Sequence, residues 1–456
     1  MDGVSGAQML WGLGIGLVVL IALILKSKIH VFVALIIAAV IVGIVGGLDP
    51  NSTVAAITDG FGGTLGNIGI IIGLGIMMGQ MFEISGAAER MARTFLKMFG
   101  KGREELALSL TGFLVSIPIF CDSGFVILSP LARALSRRTK KSIVSLSVAL
   151  AAGLVITHSL IPPTPGPLAV AGTFRVDVGQ FMLLGIVIAL PMAIATMLYG
   201  KYIGKKIYQL PAETGDGWER PPYQEPIYDI VSDEEDRKLP SAFLSFLPIV
   251  LPIILILFNT GLTALKLTDG FYGTLIFLGK PIIAVGIGLI VATYTLGRDM
   301  DRKTVIKELE DSIKAAGVII LVTGGGGALG QVLKVAGVGE YIALGIAATA
   351  IPVILLPFII ATLVRFVQGS GTVAMITAAG ITAPIVEAAG GNMLLGAFAA
   401  CVGSLFFSYF NDSFYWVVTR ISGITETKEQ IRVWSVTTTI AWAVGLVEIL
   451  ILNMIM

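Results

Sequence analysis

The side chains with the greatest chemical potential lie in one short polar stretch, RFVQGSGTVA, at residues 365–374, between two long apolar runs. A single charge at membrane depth costs about 2.5 to 3.5 kcal/mol even on lenient insertion scales, so another interaction must offset the cost of Arg365. Non-helical backbone at that depth is tolerated only inside protein or along a watery cavity. The stretch therefore predicts a ligand site that includes Gln368, Ser370 and Thr372. A glycine kink with a snorkelling arginine is the alternative, but Arg365 lies too far inside the apolar run for easy snorkelling.

A second polar interruption, CDSG at 121–124, predicts a re-entrant hairpin. The apolar arm that follows it, Phe125–Leu135, has about 11 residues. As a helix this arm would reach roughly 16 Å, which is too short to cross a hydrocarbon core of about 30 Å. Basic residues flank both arms, so the chain is expected to enter and leave on the same side, with Asp122 and Ser123 at the tip.

Two further breaks predict discontinuous helices. The segment IPPTPGP at 161–167 contains four prolines, which remove backbone donors and leave carbonyl groups free at membrane depth. The segment NDS at 411–413 breaks a later apolar run in a similar way.

The composition is that of a polytopic membrane protein. Of 456 residues, 55% are hydrophobic and 13% are charged, against about 25% charged in a typical soluble domain, and the mean hydropathy is +0.90. A net charge of +1, with basic residues spread over short loops, offers no face for nucleic acid. Cys121 and Cys401 lie in apolar stretches, and His30 and His158 are the only histidines, so neither a metal site nor a cofactor is expected.

Lys and Arg positions orient the predicted spans. The lysines of KSKIH make the first turn cytoplasmic, which places both chain termini outside, and the N-terminus lacks the basic region of a cleaved signal peptide. Of 31 Lys and Arg residues, only Arg175, Lys266, Lys280 and Lys334 then lie outside, and Arg365 lies within the membrane. The spans are predicted at about 9–25, 29–47, 64–82, 143–160, 180–199, 241–259, 274–296, 316–333, from 391 with a break at NDS, and from 432.

A weak internal repeat divides the chain into two halves. Residues 66–89 align without a gap to residues 317–340 with eight identities, where chance would give roughly two or three. The first half is expected at 1–200 and the second at 241–456. Between them lies a hydrophilic segment, 201–240, which is expected to be a cytoplasmic linker.

Each half shows the same order of features: a hairpin at about 104–136 or 352–387, then a span, then a break. Five crossings per half is an odd number, so the second half must be inverted, an arrangement typical of secondary transporters. The predicted fold class is an all-α polytopic membrane protein with two inverted five-span repeats. The glycines of VTGGGGALG at 322–330 favour close helix packing over a phosphate loop, because no GK[ST] follows them. The charged stretch at 299–314 predicts an interfacial cytoplasmic helix.

The motifs RFVQGSGTVA, PPTPGP, NDSFYW and ISGAAERM together resemble the gluconate permease (GntP) family of bacterial inner-membrane transporters over essentially the whole chain. This resemblance implies proton symport of aldonic and related hydroxy acids, with D-serine carriers as relatives, and dimers that work by an elevator motion. Thr164 stands where the family usually has a histidine in PPHP, and Asp122 stands where a glutamate is common. His158 matches the family's usual histidine.

The resemblance also implies an anionic substrate. Moving one negative charge into a negative interior costs about 2.3 kcal/mol per 100 mV, and one co-transported proton cancels that charge. Asp122, Asp412 and His158 are the predicted proton-coupling residues, although Asp122 could instead pair structurally with Arg365 and His158 could cap free carbonyls. The predicted substrate-binding residues are Ser123, Gly124, Thr164, Arg365, Gln368, Gly369, Ser370, Gly371, Thr372, Asn411 and Ser413.

Alternatives remain open within and outside transport. Sodium coupling through the carbonyls freed at the breaks is the main rival, and a D-serine or glycerate carrier of the same fold is another. A channel is possible in principle, whereas an intramembrane enzyme is disfavoured because no nucleophile with a base and no paired metal ligands are present. We expect a homodimer formed through the first two spans of each half, because these spans are uniformly apolar.

Overall fold

The computed structural model describes residues 6–27, 29–99, 102–212, 217–226, 239–267, 269–338, 341 and 352–456, and this part of the chain is almost entirely helical. The first half contains α1 (Gly6–Leu25), α2 (Val31–Val45), α3 (Pro50–Ser85), α4 (Ala87–Phe99), α5 (Glu104–Val115), α6 (Cys121–Thr139), α7 (Ile143–Leu160), α8 (Pro165–Thr173) and α9 (Val178–Lys206). A short antiparallel pair follows, β1 (Leu210–Pro211) and β2 (Trp218–Glu219).

The second half contains α10 (Ala242–Ala264), α11 (Phe271–Leu278), α12 (Pro281–Thr295), α13 (Arg302–Val335), α14 (Leu355–Gln368), α15 (Gly371–Ala388), α16 (Met393–Gly403), α17 (Ser413–Ile421), α18 (Thr427–Gln430), a π-helical turn (Ile431–Ser435) and α19 (Val436–Ile455). Residues 213–216 and 227–238 of the predicted linker, and residues 339–340 of the repeat, lie outside the described residues.

The helices confirm a membrane protein with many apolar spans. Within the described ranges, six helices are long and apolar enough to cross a membrane, and two bent pairs would raise that number to eight. Shorter apolar helices lie at Ala7–Leu20, Val31–Val45, Leu355–Phe366 and Met393–Gly403. The ten crossings and their orientation stay a prediction, because length and composition alone do not distinguish a short span from a re-entrant arm.

Burial separates inner from outer helices. In the broken span formed by α7 and α8, 94% of the most apolar 18-residue stretch is buried. The buried share of the same kind of stretch is 28% in the span at Ala242–Thr263 and 22% in the span at Thr427–Ile455. A helix that is apolar all round and exposed within one chain must face lipid or another subunit. The centre of the protein is therefore α7, against which α5 and α9 pack.

Both predicted hairpins are helix pairs, but the first turns earlier than expected. Helix α5 ends at Val115, and the connection contains Pro118, whose ring and missing N–H are incompatible with a continuing helix. CDSG is therefore not the tip itself but the first turn of α6. In the second hairpin the break is confined to Gly369 and Ser370, between α14 and α15.

Two helices are longer than the sequence predicts. The stretch expected to form a separate interfacial helix is the beginning of α13, which continues without a break from Arg302 to Val335. Helix α3 begins at Pro50 because the carboxylate of Asp49 accepts hydrogen bonds from the next backbone N–H groups at 3.0 and 3.1 Å. It bends by 45° between Gly66 and Gly69. The hydropathy pattern does not predict the polar first parts of α3 and α13 as helix continuous with the spans. Polar residues on one face of a helix do not end it.

Helices α3 and α13 pack against each other and correspond under the offset of the internal repeat. The predicted packing role of VTGGGGALG is confirmed, because helix α15 lies against these glycines. A Cβ on Gly380 would lie 2.4 Å from the carbonyl oxygen of Gly326. The backbones meet directly, so no larger residue fits without displacing a helix.

The variant Gly380→Ala is expected to destabilise the protein by about 1 to 3 kcal/mol through overpacking against a backbone atom. Gly62→Ala is the matched control, because a Cβ at Gly62 meets nothing within 4 Å. Thermal unfolding of the purified protein in detergent measures the effect. An unchanged Tm for Gly380→Ala would contradict the close packing of α13 and α15.

Candidate ligand site

A polar cavity of about 310 Å³ lies where several chain breaks meet. Its wall is formed by the starts of α6, α15 and α17 together with parts of α7, the end of α14 and the segment after α16. The predicted site residues that line it are Asp122, His158, Arg365, Gln368, Gly369, Ser370, Gly371, Thr372, Asn411, Asp412 and Ser413. The interruptions at CDSG, QGSGT and NDS therefore come together in one place, whereas the proline break at 161–167 does not line the cavity.

Three helix N-termini lie at the wall of this cavity. Helices α6, α15 and α17 begin at its wall, and the N-cap of α6, Phe120, offers no side-chain hydrogen bond. Unpaired backbone N–H groups and the helix dipole make such ends favourable for an anion. Ser370 and Asp412 cap α15 and α17, accepting from the N–H groups of Val373 and Phe414 at 3.3 and 3.2 Å.

Arg365 is the central cation of the site and is only 5% exposed. Its Nη1 donates to the carbonyl oxygen of Gly369, and its Nη2 pairs with Asp412 Oδ2 at 2.5 Å. Among the residues that the structure describes, its buried Nε has no hydrogen-bond partner. A buried donor of this kind costs free energy unless a ligand or water satisfies it. Arg365 thus lines the cavity, and its guanidinium keeps donors beyond the two that Gly369 and Asp412 accept.

Gly369 makes this arrangement of Arg365 possible. Its φ of 91° lies in the left-handed region, and a Cβ there would lie 2.2 Å from the carbonyl oxygen of Asn411. The amide of Asn411 donates to the carbonyl oxygen of Phe366 at 3.1 Å, while Gln368 Oε1 accepts from the N–H of Ser370 at 2.7 Å. The second hairpin and the break before α17 therefore form one connected wall.

The two carboxylates of the cavity have different partners. Asp412 Oδ2 accepts from Arg365 and from the hydroxyl of Ser408, both at 2.5 Å. Asp122 accepts from the hydroxyl of Ser413 at 3.2 Å and lies 3.6 Å from the thiol sulfur of Cys121. The alternative that Asp122 pairs with Arg365 is not what the structure shows, because Asp412 occupies that position.

His158 lies in the last turn of α7 and is buried beside the cavity. Its ring is 5.4 Å from the ring of Phe120, centroid to centroid. Within the described ranges its Nδ1 atom is buried without a hydrogen-bond partner. Nδ1 therefore does not cap the carbonyl groups at the proline break. It remains a hydrogen-bond donor or acceptor without a partner among the described residues.

Three predicted substrate residues do not line this cavity. The hydroxyl of Thr164 donates to the carbonyl oxygen of Ile161 at 2.6 Å and closes the proline break. Gly124 packs against Leu154, and the side chain of Ser123 lies near the carboxyl group of Glu83. One turn of α6 projects successive residues in different directions, so adjacency in sequence to Asp122 does not bring a residue into the cavity.

Several cavity residues were missed by the sequence reasoning. Ser159 adjoins His158 and could have been found from that position, but Ser404 and Thr438 lie in segments with no motif. The remaining missed residues are Phe120, Cys121, Val155, Leu405 and Phe414.

A helical membrane protein in which a hairpin pair and broken helices enclose a polar cavity belongs to the class of membrane transport proteins. The structure is similar to that of the YdaH transporter of Alcanivorax borkumensis, with a TM-score of 0.64, 15% identity, and coverage of 91% of this chain and 97% of that one. At that identity the likeness shows the fold alone.

The chain belongs to the GntP permease family, whose model, described as GntP family permease, matches residues 8–455. It is 49% identical to an uncharacterised permease of Haemophilus influenzae, over 97% of this chain and 92% of the relative. It is 36% identical to the gluconate permease of Pseudomonas aeruginosa, over 97% of this chain and 96% of the relative. The protein is thus a multi-pass inner-membrane permease and not an enzyme, and the resemblance found in the sequence is confirmed.

Replacing Asp412 by asparagine is expected to lower the free energy of unfolding by roughly 3 to 5 kcal/mol, because it leaves the buried Arg365 charge without a counter-ion. Asp122→Asn is the matched variant in the same cavity, and its effect should be small because the side-chain partners that the described part of the chain gives Asp122, Ser413 and Cys121, are neutral. Unfolding in detergent titrations measures both.

The double variant Arg365→Met with Asp412→Asn should recover part of the stability lost by Asp412→Asn alone. Equal destabilisation by Asp122→Asn and Asp412→Asn would show that the Arg365–Asp412 pair is not the dominant charge interaction of the site.

Proposed function

We propose that this permease imports a small hydroxy-acid anion of the gluconate type together with a proton. The observation that carries the proposal is the buried Arg365 guanidinium, which lines the cavity with its Nε donor unsatisfied among the described residues. The cavity volume of about 310 Å³ suits a small molecule. The name of the Pseudomonas aeruginosa relative, gluconate permease, supports this substrate class.

The carboxylate of the substrate is expected to bind at the positive end of the cavity. Arg365 Nε supplies one charged donor, and the first backbone N–H groups of α6 and α15 supply further ones. The hydroxyl groups of Ser370, Thr372 and Ser413, with the amides of Gln368 and Asn411, line the same space. These groups match a chain of hydroxyl groups that both donate and accept hydrogen bonds.

Proton coupling follows from the charges that share the cavity. With Asp122 and Asp412 both ionised beside Arg365, the three side chains carry one net negative charge, which repels an incoming carboxylate. A proton on Asp122 removes that charge. Asp412 is already engaged, because Arg365, Ser408 and the N–H of Phe414 all donate to it.

The architecture supports an elevator motion of the hairpins and broken helices against static spans. Helices α3 and α13 correspond under the repeat offset, which favours the two inverted five-span halves at 1–200 and 241–456 with the linker 201–240 between them. The exposed apolar faces of α1 and α10, with Trp11 and Phe243 68% and 70% exposed, suit the proposed homodimer.

The variant Asp122→Asn should bind and exchange substrate but fail to accumulate it, because an amide hydrogen-bonds without exchanging a proton. Uptake of labelled gluconate into proteoliposomes under an imposed inward proton gradient measures this. The control is Asp299→Asn, an exposed carboxylate between α12 and α13. Wild-type uptake should collapse with a protonophore and be independent of sodium.

Normal accumulation by Asp122→Asn would move the coupling site to Asp412 or His158. Loss of uptake on removal of sodium alone would replace the proton by sodium, bound at the carbonyls of the helix breaks. Transport of D-serine in place of gluconate would contradict the charge argument for proton coupling, because D-serine is a zwitterion. Transport of glycerate in place of gluconate would leave that argument unchanged, because glycerate is an anion.

The variant Arg365→Lys should weaken gluconate binding by about ten- to hundredfold. An ammonium group cannot donate to Gly369, to Asp412 and to a ligand from the fixed positions of a guanidinium, and a hydrogen bond to a charged group contributes about 1.5 to 3 kcal/mol. Isothermal titration of the purified protein gives the Kd. Arg302→Lys, on the exposed first turn of α13, is the control. Wild-type affinity in Arg365→Lys would exclude the proposed role of Arg365.

A further inference from the structure

Behind the cavity, the Arg365–Asp412 pair is contacted by a second group of polar side chains to which no role has been assigned. The indole N–H of Trp434 donates to the hydroxyl of Ser408 at 2.9 Å, and this hydroxyl donates to Asp412 Oδ2 at 2.5 Å. Trp434 and Ser408 are 0% and 1% exposed. Neither residue lines the cavity, so neither can touch a ligand there.

The direction of the Ser408 proton is determined by Trp434. An indole N–H only donates, so the Ser408 oxygen must act as its acceptor and turn its own proton elsewhere. The hydroxyl donates that proton to Asp412 Oδ2. The Ser408 hydroxyl thus donates to the Asp412 carboxylate while it accepts from the indole N–H.

The backbone of Ser408 is held by the same part of the last helix. Its N–H donates to Thr438 Oγ1 at 3.0 Å, and its carbonyl oxygen accepts from the hydroxyl of Ser435 at 2.5 Å. Trp434 and Ser435 belong to the π-helical turn Ile431–Ser435, a rare conformation that is frequent at functional sites. This turn and Thr438 thus fix Ser408 through its side chain and both of its backbone polar groups.

We infer that Trp434 and Ser408 are positioning residues for the site: acting from outside the cavity, they hold the Asp412 carboxylate against Arg365 and so fix the guanidinium that lines the cavity. The inference rests on the proposed function only for the identity of the ligand that the cavity binds. It assigns Asp412 the role of a fixed counter-ion and leaves the exchange of protons to Asp122.

The first test needs no ligand. The infrared difference spectrum between the protein and its Asp412→Asn variant isolates the carboxylate stretch of Asp412. Ser408→Ala and Trp434→Phe should each shift this band, and Trp434→Phe should have no further effect in the Ser408→Ala background, because the indole acts through the hydroxyl. Ser408→Thr, which keeps the hydroxyl, should restore the band. An unshifted band in Ser408→Ala overturns the inference.

The second test measures gluconate binding. Ser408→Ala and Trp434→Phe should each raise the Kd by about tenfold, again without additivity in the double variant. Trp442→Phe is a matched control on the same last helix, because its indole N–H also donates to a hydroxyl, that of Thr362, at 2.9 Å but away from the cavity. Its Kd should not change.

The two failures are distinguishable. A wild-type protein that binds no gluconate refutes the proposed substrate, while the infrared band still decides the role of Trp434 and Ser408. Additive losses in the double variant, or an equal loss in Trp442→Phe, would show a general packing role and refute the positioning role. If Trp434→Phe does not fold, Ser408→Ala with its Thr rescue still decides the question.

Discussion

A buried ion pair between Arg365 and Asp412 joins the second hairpin to the break that precedes α17. Removing either charge from water costs several kcal/mol, and mutual attraction compensates only when other hydrogen bonds satisfy the remaining polar atoms. Here the Ser408 hydroxyl and the N–H of Phe414 donate further hydrogen bonds to the Asp412 carboxylate, and the Gly369 carbonyl oxygen accepts one from the guanidinium. The irregular backbone at both breaks persists at membrane depth because these contacts connect them.

The same pair explains why two carboxylates in one cavity can differ in role. Asp412 is surrounded by donors, whereas the side-chain partners of Asp122 among the described residues are a serine hydroxyl and a thiol. An anionic ligand and an ionised Asp122 would repel each other across a small, partly dry space. The difference in partners, and not the residue type, thus makes one group a counter-ion and the other the proposed proton carrier.

Much of the site was accessible from the sequence, because polar residues inside apolar runs are costly and therefore conspicuous. Arg365, Asp122 and Asp412 were found in this way, and all three line one cavity. Thr164 lies outside this cavity, because its hydroxyl donates to the local backbone beside the prolines. The continuity of α13 was missed because hydropathy follows lipid exposure, whereas helix formation depends on local hydrogen bonds and caps.

By itself, the sequence determined the membrane class, the positions of the polar breaks and the family, because each depends on residue order along one chain. Tertiary structure alone decided which carboxylate pairs with Arg365, since Asp122 and Asp412 are equivalent in a list of intramembrane acids. It also decided that Trp434, in an ordinary apolar helix by sequence, supports Asp412 through Ser408. The ion pair and the indole hydrogen bond depend on ångström-scale distances between residues 47 and 26 positions apart, and no local pattern encodes those distances.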